Sequence, residues 1–190
     1  MMFTPFIWAF DPTIVILIPA IIFTLYAQSK VRANFSKYLR VKTIRGYSGL
    51  QVARTLLDLN GLHNVPIELT RNHLGDHYDP RNRVLRLSNE VYHGDSIASV
   101  SVASHEVGHA IQHARGYVPL TIRNSIFPLA SFGSSAAWFF IIFGLLIPEL
   151  GGLMDIGILL FGIAVLFQVI TLPVEFNASK RALNLLVNNG

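Results

Sequence analysis

Three stretches of this chain, residues 13–28, 126–147 and 156–172, run apolar without a single charged side chain. Each approaches or meets the roughly 17 to 25 residues needed to cross a hydrocarbon core, so each predicts a transmembrane helix. Pro19 lies inside the first, where a lipid-embedded helix bends around proline and continues. Between the first and second stretches the pattern shortens and becomes mixed. Ser48 and Gln51 form a capping-box pair ahead of Val52, Leu56, Leu57 and Leu59, a helix that stops at Asn60-Gly61. Residues 65–70 and 83–88 are strand-like, and the Asp79-Pro80-Arg81-Asn82 turn between them predicts a β-hairpin. Asp95 or Ser96 then caps a further helix that runs to about Arg115 and ends at Gly116. No internal repeat or low-complexity tract interrupts this order.

Composition agrees with the spans: 52% of the 190 residues are hydrophobic, 14% are charged, and the mean hydropathy is +0.47. That is too apolar for an ordinary soluble domain. The net charge of +4 raises nucleic acid as a partner, but the basic residues are scattered and no aromatic residues interleave with them, so nucleic-acid binding is not expected. The charge is better explained by topology. Thirteen of the 15 Lys and Arg residues lie between Lys30 and Arg123, and the other two are Lys180 and Arg181. Positive residues collect on the cytoplasmic side. The chain is therefore expected to start outside, to place residues 29–125 in the cytoplasm, to cross and return as a hairpin over residues 126–172, and to end inside. A basic cluster that follows the first span, with none before it, reads as an uncleaved anchor.

The chain has no cysteine, so any metal site must use His, Asp or Glu. His105-Glu106-Val107-Gly108-His109 supplies the H-E-x-x-H arrangement on the helix that ends at Gly116. Residues four apart share a helix face, so His105 and His109 converge on one ion. Glu106 is rotated by about one hundred degrees, toward a water that the ion would activate. Without that chemistry, the same residues would be a helix showing polar groups to water, or the remnant of a lost enzyme. The serines around the motif, Ser99, Ser101 and Ser104, argue against a lipid-facing helix and for one packed between the cytoplasmic domain and the hairpin.

A catalytic zinc needs a third protein ligand and an open position. After His109 the candidates are His113, Glu149, Asp155 and Glu175. His113 lies about 12 Å along the helix from His105, too far to share the ion. Glu149 and Asp155 fall on the outer side by the charge pattern, which leaves Glu175. Beside it Ala178, Ser179 and Ala182 form a small-residue face that lets another helix come close. His77 and Tyr78 could stabilise an oxyanion if the hairpin borders the cleft, although hydrogen-bonded turn residues are the plainer assignment. His63, His73 and His93 sit near turns and are expected to be exposed, and His113 to lie just behind the ligands.

The His105–His109 motif, the upstream Asp76-His77-Tyr78-Asp79-Pro80-Arg81 and the downstream Pro173-Val174-Glu175-Phe176-Asn177-Ala178-Ser179 together resemble the bacterial YugP-type neutral zinc metallopeptidases of the membrane. The resemblance covers nearly the whole chain. It implies a mainly α integral membrane protein with an anchor (1–28), a cytoplasmic α+β zincin-like domain (29–125), a transmembrane hairpin (126–172) and a cytoplasmic helix bearing the third ligand (173–190). It also implies a gluzincin-like site in a bacterial inner membrane, with Zn2+ on His105, His109 and Glu175. More distant relatives carry E-x-x-A-D at the corresponding place, and here Ser179 stands where they have Asp. The family continues past Gly190 with an acidic segment and another span, so a chain ending there is expected to be a truncated form.

The function expected is a zinc endopeptidase that cuts membrane or membrane-proximal proteins at the cytoplasmic face, with Glu106 as general base. Its partners would be a protein or peptide substrate and membrane lipid, with the oligomeric state left open. The rival is a noncatalytic zinc-stabilised scaffold or chaperone, whose closed metal site would need a fourth protein ligand.

Overall fold

A computed structural model describes residues 12–72 and 74–189. It is mostly helical, with one small sheet. α1 (Pro12–Leu39) opens the chain, followed by α2 (Gly49–Leu59), β1 (Ile67–Thr70), β2 (His77–Asp79) and β3 (Val84–Ser88). Then come the short α3 (Asn89–Tyr92), α4 (Ile97–Ala114), α5 (Val118–Leu146), a 3-10 turn at Pro148–Leu150 and α6 (Gly152–Asn189). The residues ahead of Pro12 and His73 lie outside the described residues, and with them the expectations for the outer N-terminal segment and for His73.

The local signals work as chemistry predicts. The Ser48 hydroxyl accepts from the Gln51 N–H and the Gln51 side chain accepts from the Ser48 N–H, closing the box that starts α2. α2 buries Ala53, Leu56 and Leu57 against α4. Ser96 caps α4 by accepting from the Ser99 N–H, and Gly116, at φ +61°, takes the left-handed conformation that ends it. The segment after α1 is pinned to the start of α4 by the Ile97 N–H on the Val41 carbonyl and by the Lys42–Asp95 pair at 2.9 Å.

The sheet departs from the expected pairing. Its order is β1-β3-β2: β1 lies parallel to β3, and the hairpin partner of β3 is β2. The turn at Asp79 is real, since its carboxylate accepts from the Arg81 and Asn82 N–H groups and from the Arg86 guanidinium. The strand entering it, however, is only His-Tyr-Asp, too short and polar to show a period of two. Central β3 is buried at Val84, Leu85, Leu87 and Ser88 and packs with α2, α3 and α4 into one core.

Two further expectations change. The basic stretch after residue 28 continues α1 as helix to Leu39, and no break separates the third apolar run from the Glu175 segment, since α6 runs through Pro173 without interruption. Among the described residues, α5 and α6 are long and apolar enough to cross a membrane, and they pack along one another as a hairpin. α1 keeps Pro19 within the helix and exposes Val15, Leu17, Ile18, Ile21, Ile22 and Phe23.

Candidate metal centre

α4 is the backbone of the site. Its floor is apolar, with Ala103, Val107, Ala110 and Ile111 in the core, and buried Ser99 and Ser104 satisfy their hydroxyls on the carbonyls of Glu90 and Val100. The opposite side meets α6. The two helices cross at Gly108, where a Cβ would lie 2.7 Å from the Ala178 carbonyl oxygen, so only glycine allows this approach. Ala178 is fully buried and Ala182 nearly so. Glu175 is one turn before Ala178, and the crossing carries its carboxylate to the two histidines.

His105 Nε2 and His109 Nε2 lie 3.2 Å apart, and Glu175 Oε2 lies 3.2 Å from the first and 3.4 Å from the second. A tetrahedral ion at about 2.0 to 2.1 Å from each donor needs donors roughly 3.3 Å apart. The three atoms therefore fit zinc, with one corner left open, and no other cluster of three such groups occurs among the described residues. The far side of each ring is held. His109 Nδ1 is 3.0 Å from Gln112 Oε1, and His105 Nδ1 is 3.1 Å from the Ser179 hydroxyl. Ser179 thus meets His105 with a neutral hydroxyl.

Glu106 is buried, and its Oε2 accepts from the Tyr78 N–H at 3.0 Å. Burial raises its pKa; the neighbouring imidazoles and this hydrogen bond oppose the rise without cancelling it. Tyr78 belongs to edge strand β2, whose position is set at its start by Asp76, which accepts from the Ser88 N–H at 2.7 Å and the Ser88 hydroxyl at 3.0 Å.

The two oxyanion candidates have hydrogen-bond partners outside the three-donor cluster. The Tyr78 hydroxyl meets His113 Nδ1 at 2.9 Å, where burial pushes the phenol up and the imidazole down. Exposed His77 is 2.7 Å through Nδ1 from the Gly75 carbonyl. His113 stands outside the three-donor cluster. Gln112 escaped the sequence reasoning; its only signal was a lone amide three residues after a ligand-type histidine. Size does not mark the site either: a cavity of about 1050 Å³ lies between α2, α4 and the end of α6, and none of the three metal-type residues lines it.

The family described as "Putative neutral zinc metallopeptidase" matches residues 13–190. The chain belongs to that family. It is also 50% identical over 173 residues, 91% of this chain and 76% of the relative, to the "Putative membrane protease YugP" of Bacillus subtilis (strain 168). No solved structure matches the chain. Zinc is therefore the metal of the family, and His105, His109 and Glu175 form a place in this chain that can hold it.

Proposed function

We propose that the chain is a membrane-embedded endopeptidase in which His105, His109 and Glu175 hold zinc and Glu106 moves the proton. The observation that supports it most is the convergence of three donor atoms at 3.2 to 3.4 Å beside a buried carboxylate on the same helix. Bound there, zinc supplies a Lewis acid that brings the pKa of a water toward about 7. Glu106 takes the proton from the attacking water and returns it to the nitrogen of the leaving amine. The Tyr78 N–H orients the carboxylate from the rim of the sheet.

Lys and Arg distribution supports an outer N-terminus, three spans (13–28 and the α5–α6 hairpin) and a site facing the cytoplasm. Substrates are then membrane proteins or chain segments close to that face. In domain form, residues 1–28 anchor, 29–125 build the zincin-like unit, 126–172 form the hairpin and 173–190 carry the third ligand.

Glu106→Gln tests the mechanism. Zinc content should stay at the wild-type value while cleavage of an unfolded protein substrate falls at least about a hundredfold. Full zinc with wild-type cleavage would refute the proton-transfer role. A scaffold makes the opposite forecast, with zinc-dependent stability and no chelator-sensitive cleavage at all.

A further inference from the structure

We infer that Gln112 is a positioning residue: it holds His109 in the tautomer a metal ligand needs, and it ties that ring to the helix carrying Glu175. This rests on the ligand set proposed above.

The assignment follows from which groups can only donate and which can only accept. The Arg181 Nε–H lies 2.7 Å from the Asn177 side chain, and a guanidinium has no acceptor, so the Asn177 atom there is its oxygen. That same oxygen is 3.0 Å from the Gln112 amide, and the Val174 carbonyl oxygen is 2.8 Å from the same Gln112 atom. Two acceptors meet it, so it is the NH2 group, Nε2. Its other end, Oε1, then faces His109 Nδ1 at 3.0 Å as an acceptor, and Nδ1 must carry the proton. His109 Nε2, 3.2 Å from His105 Nε2 and 3.4 Å from the Glu175 carboxylate, is then the nitrogen that can ligate a metal. Gln112 is fully buried, so no water can take over any of these bonds.

His105 lacks such a lock. Its Nδ1 partner, the Ser179 hydroxyl, can donate or accept and accommodates either tautomer. Gln112 therefore acts on one histidine only. Since Val174 and Asn177 flank Glu175 on α6, it also couples the orientation of the His109 ring to the seating of the third ligand.

The experiment uses the full chain in detergent with 15N-labelled histidine, prepared without metal. Long-range 15N–1H spectra, recorded at a pH alkaline enough for neutral imidazoles and assigned for His109 by comparison with His109→Ala, should show the Nδ1–H tautomer in wild type. Gln112→Met, similar in volume but without an acceptor, should lose that bias. In chelator competition the Met variant should bind zinc about ten to a hundred times more weakly. An Nε2–H tautomer at His109 in wild type overturns the inference, as does a Met variant with wild-type tautomer and affinity. The tautomer is read without zinc, so zinc retention in both His105→Ala and Glu175→Gln would sink the ligand set while leaving the Gln112 result to stand or fall alone.

Discussion

The α2–sheet–α4 core and the α5–α6 hairpin use the same apolar residues in opposite ways. In the core Leu57, Leu85, Leu87 and Val107 are fully buried, and the polar groups among them are capped or paired. In the hairpin the large side chains point outward, with Phe139 at 65% and Leu145 at 71% exposure, while small Ala130, Gly133, Ala137 and Gly144 fill the helix contact. Water drives the first pattern. The second is what helices adopt when the surrounding solvent is itself apolar and association depends on close backbone approach. α6 belongs to both regions: past Leu172 it buries Val174, Ala178 and Ala182 against α4 and still exposes Phe176. The metal-type cluster forms where the two regimes meet.

The largest effect should come from cutting that junction. Glu175→Gln and His109→Ala should each weaken zinc binding by at least about a hundredfold, because either leaves an incomplete coordination sphere, while His113→Ala keeps the metal. Metal stoichiometry of the purified variants decides it; loss with His113→Ala and retention with Glu175→Gln would reverse the assignment. Next comes the solvent on the two sides of α6 and α5. Phe139→Arg, near mid-span, should cost about 2.5 to 3.5 kcal/mol of insertion and deplete the membrane fraction, whereas Phe176→Arg, equally exposed but beyond the apolar run, should fractionate like wild type. Equal behaviour of the two would mean the hairpin does not sit in lipid.

Gly108→Val probes the crossing itself. Overpacking against the Ala178 backbone should cost about 1 to 3 kcal/mol of thermal stability and weaken zinc binding in parallel, since Glu175 moves with α6. Stability lost with zinc affinity intact would show that the crossing does not place the ligand. The smallest effect belongs to the globular side alone: Ser48→Ala removes half of the capping box and should cost about 1 kcal/mol in unfolding of the core without changing metal affinity.

Much of this was legible in the chain. Capping at Ser48 and Ser96, the stop at Gly116, the apolar runs and the shared face of His105 and His109 depend on residues within about a turn of each other, so spacing reports them directly. Glu175 could be singled out because few acidic groups follow His109 and Glu149 and Asp155 were expected on the other side of the spans. The β1–β3 pairing could not be, because a parallel register joins residues 18 apart in sequence, such as Glu68 and Arg86, and no local turn announces it.

What the sequence by itself determined is the periodicity: which residues must face one another along a helix, and which runs must leave water. The tertiary structure alone decided which atoms finish the site. Ser179 reaches His105 across 74 positions and Gln112 reaches Val174 across 62, contacts that exist only because Gly108 lets α6 lie against α4. A hydrogen bond needs its partners within about 3 Å and well aligned. That precision is set by how two helices pack, and helix spacing along the chain carries no information about it.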